Sequence, residues 1–176
     1  MKIARMTRAV WKLLWRGDSG SALVETALTV PVVLALLLGA VEMGDFAFRA
    51  SEMSNAARAA AQYGAMNGGG FTDCSGTFAG GSCNATSGMY QAAKKDAPRT
   101  FATCTNFTVI ASSTCTCSGG AACAVGTPYT CASGNGLPVV NVTVNTSAQC
   151  SPVTSVPNLF SGAFSLKGYA QQQVLQ

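Results

Sequence analysis

One stretch limits the possible folds of this chain more than any other. Thr26 to Val41, TALTVPVVLALLLGAV, carries no charge over 16 residues, and Ser21 to Val24 extend the apolar run to about 20. That is the length at which a helix crosses a bilayer. Glu25 sits inside the run near its start. A carboxylate costs on the order of 2.5–3.5 kcal/mol at mid-membrane and less near an end, so its presence needs a reason. Pro31 also falls within the run, where a membrane helix accepts it with a kink or local unwinding.

Charge fixes the orientation expected for such a segment. Lys2, Arg5, Arg8, Lys12 and Arg16 stand against Asp18 ahead of Gly20, a net +4, whereas six bases and six acids cancel from Ser21 onward. A basic flank with Trp11 and Trp15 reads as cytoplasmic, with the rest of the chain on the far side. The basic balance therefore expresses topology and speaks against nucleic acid, whose partners carry their positive patch on the folded domain.

Beyond Val41 the pattern stays helical. Met43, Phe46, Ala50, Met53, Ala57, Ala60 and Gly64 recur at three- and four-residue spacing, with Glu42, Arg49, Glu52, Asn55 and Arg58 largely elsewhere, and Gly68-Gly69-Gly70 closes the segment. The organisation expected is a basic leader over 1–20, a helix over 21–66 with its transmembrane part at 21–41, and a cysteine-rich head over 67–176. At about 1.5 Å per residue the helix is roughly 70 Å long. Ala35/Gly39 and Ala40/Gly44 are small pairs four residues apart that let membrane helices approach closely; chance in an alanine- and glycine-rich chain accounts for them equally well.

The eight cysteines all follow Asp73: Cys74, Cys83, Cys104, Cys115, Cys117, Cys123, Cys131 and Cys150. Histidine is absent and no CxxC occurs, which argues against zinc and for up to four disulfides in an oxidising compartment. Cys74 and Cys83 close a loop over 68–87, and a short helix follows from Ser87, its cap, to Ala97, with Pro98 as its stop. Strands are expected at Phe101–Ile110, Pro138–Thr146 and Phe164–Val174; in the second, Val140, Val142 and Val144 share one face. Ala111–Gly136 reads as a stapled loop without secondary structure. If the first two strands pair antiparallel, Cys104 and Cys150 fall toward one end and can bond, leaving the other four to pair within the loop. The fold class is α+β: a long N-terminal helix, half transmembrane, and a small disulfide-stapled head with a short antiparallel sheet.

Catalysis finds no foothold. The commonest general base is missing, and GxSxG, HExxH and a phosphate-cradling glycine loop are all absent. Lys94-Lys95 and Arg99 read as a solvated face, and the sequons at Asn84, Asn106, Asn141 and Asn145 as products of an Asn- and Thr-rich composition. No enzyme, cofactor or metal is expected.

The order of basic leader, Gly20, Glu25 and apolar helix resembles a type IV prepilin leader. More closely, GSALVETALTVPVVLALLLGAVEMGDFAFRASEMSNAARAAAQYGA resembles the TadE-like segment of the tight-adherence (Flp) pilus system. The shared features fall on Gly20, Glu25, Ala27, Pro31, Gly39, Glu42 and Asn55-Ala56-Ala57-Arg58, while Thr26 stands where that family has an aromatic. The end of the chain from Leu159, LFSGAFSLKGYAQQQ, resembles the family's last strand more weakly. The resemblance implies a pilin-like minor pseudopilin of the bacterial inner membrane, with a periplasmic head that can enter the extracellular pilus. Its partners would be a prepilin peptidase cutting after Gly20, the inner-membrane assembly platform, other pilins and membrane lipid. Cleavage would expose an amine at Ser21, which Glu25 one helical turn on would neutralise. A glutamate that merely snorkels to the interface is the plainer alternative. The rival functions are an adhesive head at a pilus tip, and a secreted disulfide-rich protein freed by signal cleavage near Ala40.

Overall fold

A computed structural model of the chain describes residues 19–67, 74, 81–123, 130–132, 134, 136–152 and 162–175. The leader through Asp18, residues 68–73 and 75–80 of the expected 68–87 loop, residues 124–129, 133 and 135 of the expected 111–136 loop, and residues 159–161 lie outside them. Helix α1 runs Ser19–Met66, and the chain divides into two compact units after Met43.

In the first unit α1 carries its apolar residues outward. Twelve large apolar side chains from Leu23 to Met43 are exposed, and none of the most apolar window is buried within the protein. Leaving that surface in water forgoes on the order of 10–20 kcal/mol, as much as a whole domain's stability. Among the described residues this is the one helix long and apolar enough to cross a membrane. An N-terminal apolar helix of this kind indicates membrane anchoring.

The second unit is an α+β head built on Gly44–Met66 of α1. Its elements are β1 Gly81–Ser82, α2 Gly88–Asp96, α3 Pro98–Thr103, β2 Thr105–Cys117, β3 Pro138–Cys150 and β4 Phe164–Leu175. The four strands form one antiparallel sheet in the order β1-β2-β3-β4. Val140, Val142 and Val144 do share the buried face of β3, and Thr146, Ala148 and Cys150 extend it. Against them α1 lays Met53, Ala56, Ala57, Ala60 and Ala61, all buried. Methyl-sized side chains bring the helix backbone close to the sheet. The approach is tight at Gly168 of β4, where a Cβ would overlap the Met53 carbonyl. That carbonyl also accepts the Thr146 hydroxyl at 3.0 Å.

Three local expectations need correction. Phe101–Thr103 is helical, because Pro98 at the first helical position starts α3 instead of only ending α2. Ser87 caps α2 as expected, its hydroxyl accepting the Tyr90 N–H at 3.2 Å. The second strand begins only at Thr105, and Asn106 takes a left-handed backbone (φ 53°) at the register shift before Thr108. It then runs on to Cys117, so 111–117 is strand and not loop: Ser113 and Cys117 alternate inward, and β3 supplies the ladder partners through Pro138. Finally, Arg49 and Glu52, placed by pattern away from the packed face, are buried at 6% and 7% exposure.

Candidate functional site

The residues expected to carry leader processing lie in the first turns of α1. Gly20, Ser21 and Glu25 are all exposed, and Gly20 has open space where a Cβ would stand. Ser21 and Glu25 are four residues apart on a helix and so share a face. Glu25 enters no ion pair or hydrogen bond among the described residues. Thr26 donates its hydroxyl to the Ala22 carbonyl at 2.8 Å, and Thr29 to the Thr26 carbonyl at 3.3 Å. Both hydroxyls are thus satisfied along the helix itself, which makes them tolerable in hydrocarbon. Pro31 lies inside α1, where its missing N–H leaves the Ala27 carbonyl without its usual donor.

The small-residue pairs remain on the surface. Ala35, Ala40 and Gly44 are exposed and Gly39 is half-buried, and a Cβ on either glycine would meet nothing within 4 Å. The chain alone therefore leaves room there.

All eight cysteines are bridged: Cys74–Cys83, Cys104–Cys150, Cys115–Cys123 and Cys117–Cys131. Cys104 and Cys150 meet because Thr105 registers with Gln149 at the β2–β3 end. The sulfurs of Cys117, Cys123 and Cys131 lie within 4.8 Å of one another. Each is spent in a bridge and has no thiolate to give a cation.

A buried polar group ties α1 into the head. The Arg49 guanidinium donates to Asp45 Oδ2 at 2.6 Å, and reaches the Ser151 carbonyl at 3.4 Å and the Cys104 sulfur at 3.6 Å. Glu52 Oε2 accepts both the Thr100 N–H at 2.9 Å and the Thr100 hydroxyl at 2.7 Å. Helix α3 has no side-chain cap of its own at Ala97, so Glu52 supplies the acceptor its first turn lacks. Sequence reasoning missed this pair, although a signal was present. Glu52, Ala56 and Ala60 stand four apart, as do Arg49 and Met53, so both charges lie on the stripe that the core uses.

Among the described residues, one exposed apolar helix suited to membrane anchoring leads into a disulfide-bridged α+β head. The family model described as TadE-like protein matches residues 20–62, so this segment, which carries Gly20, Glu25, Pro31 and Arg58, is similar to that family. That family points to the Tad pilus and, in general terms, to association with pilus components. No curated protein and no solved structure matches the chain.

Proposed function

We propose that the protein is a minor pseudopilin of a tight-adherence (Flp-type) pilus, with a structural, non-enzymatic role in pilus assembly. A prepilin peptidase cuts after Gly20, and the mature chain sits in the bacterial inner membrane with its head in the periplasm. There α1 packs against other pilins and engages the inner-membrane assembly platform. The observation that carries this reading is the TadE-like match over an apolar helix whose Glu25 is exposed one turn from Ser21.

The physics gives Glu25 its role. A new amine at Ser21 is costly to bury alone in an apolar setting. A carboxylate on the same helix face, or on a neighbouring subunit, removes the isolated charge from both groups. The open surface at Gly39 and Gly44 suits close packing of a second helix.

The test is piliation in cells lacking the protein, restored with the natural chain or with Glu25→Gln. The reading expects no pili without the protein, recovery with the natural chain, and poor recovery with a Glu25→Gln chain that is still processed. Normal pili in its absence would refute it. Lost attachment with intact pili would instead favour an adhesive head.

A further inference from the structure

The two bridges at the end of β2 are interlaced. Cys115 pairs with Cys123 and Cys117 with Cys131, so each bridge starts inside the span of the other or encloses its start. The strand sets this up by placing Cys115 and Cys117 two residues apart, with Thr116 between them. A tight turn then folds the chain back: Cys117 N–H donates to the Ala121 carbonyl at 2.7 Å, and Thr116 bridges Ala122. As a result Cys117 Sγ lies 4.0 Å from Cys123 Sγ, a sulfur belonging to the other bridge. Cys117 is buried at 3% exposure, whereas Cys115, Cys123 and Cys131 are half-buried.

We propose that these four cysteines form a thiol-exchange site, the point at which a dithiol oxidoreductase acts on this head. The burial pattern sets the order of events. The thiolate of the catalyst attacks the more accessible Cys131 sulfur, forming a mixed disulfide there and releasing Cys117 as a thiolate. Cys117 then attacks Cys123 Sγ, breaking its bond to Cys115 and forming Cys117–Cys123. Cys115 leaves as a thiolate, attacks Cys131 in the mixed disulfide, and returns the catalyst thiolate. The number of disulfides is unchanged, so no net oxidant or reductant is consumed.

Run in reverse, the same route is a maturation step. Cys117 and Cys123 are six residues apart, closer in the chain than either observed pair, whose separations are 8 and 14. A shorter flexible loop closes more readily, so oxidation of the unfolded segment favours Cys117–Cys123 first. The interlaced pairing is then reached by exchange, which the short sulfur-to-sulfur distance allows without rearranging β2.

Replacing Cys131 tests the geometry directly. In the full-length Cys131→Ser protein, purified from membranes in detergent, three of the four cysteines compete for one bridge. Free thiols are alkylated, the bridges are then reduced and alkylated with a second reagent, and mass spectrometry locates each label. The first label is expected on both Cys115 and Cys117, in amounts within about tenfold of one another, as exchange between similar thiols gives. A first label confined to Cys117 would overturn the proposal, as would one on Cys123. In the unaltered protein, substoichiometric dithiothreitol should raise the Cys117–Cys123 form several-fold while Cys74–Cys83 and Cys104–Cys150 stay closed. Opening of Cys117–Cys131 without that form would overturn it independently of how the variant folds.

Discussion

Glu52 offers the most demanding test of how α1 is joined to the head. Its carboxylate is 7% exposed and accepts two hydrogen bonds from Thr100, a residue with no exposure at all. In Glu52→Ala the Thr100 N–H and hydroxyl stay buried with no acceptor. Each orphaned group costs about 1–3 kcal/mol, and relief by water or relaxation brings the total to roughly 2–4 kcal/mol. Glu52→Gln keeps a carbonyl oxygen and loses only the charge assistance, about 1 kcal/mol. For a head of this size each kcal/mol shifts Tm by about 4 °C, so the alanine variant should melt about 8–16 °C lower and the glutamine variant about 4 °C lower. The assay is thermal unfolding of the full chain in detergent, followed by near-ultraviolet circular dichroism with the disulfides intact. Exposed Arg58→Ala serves as the control and should move Tm little. An alanine variant within 2 °C of the natural chain, or equal effects of alanine and glutamine, would refute the capping role.

Further outcomes follow from the same contacts. Gly168→Ala should destabilise the head by about 1–3 kcal/mol, because the new methyl group meets the Met53 carbonyl; Gly39→Ala, facing open space, should leave the melting temperature unchanged. Thr146→Val removes the donor to the Met53 carbonyl and should cost about 1 kcal/mol in the same melt. Removing Cys104–Cys150 as a double alanine variant opens a separation of 46 residues and should cost about 4 kcal/mol on the chain-entropy model. Removing Cys74–Cys83, with a separation of 9, should cost about 2.6 kcal/mol, so the order of the two losses is itself a check.

The sequence was most legible where one periodicity governed. Alternating valines announced β3, and the register they imply brings Cys104 to Cys150. Ser87 as a cap and Pro98 as a stop announced α2. Where two signals competed, the local one misled. Phe101 and the threonines beside it suggested a strand, but Pro98 had already set a helical first turn. The 111–117 stretch lacks large apolar residues, yet it forms a strand because β3 provides its partner and small side chains fit that edge of the core. Arg49 and Glu52 were hidden by the habit of reading charge as solvent-facing. Their burial depends on Ser151, Cys104 and Thr100, groups far along the chain that no local pattern connects to them. The interlaced pairing was equally illegible: with Cys74–Cys83 and Cys104–Cys150 read, the other four cysteines still allow three connectivities.

The most direct measurement is the N-terminus and intact mass of the protein purified from membranes, with and without the prepilin peptidase. The account expects a terminus at Ser21 that depends on the peptidase, which creates the amine that Glu25 is placed to meet. A terminus near Val41, with the apolar helix gone, would contradict it, and an uncut chain in the presence of the peptidase would contradict the processing step.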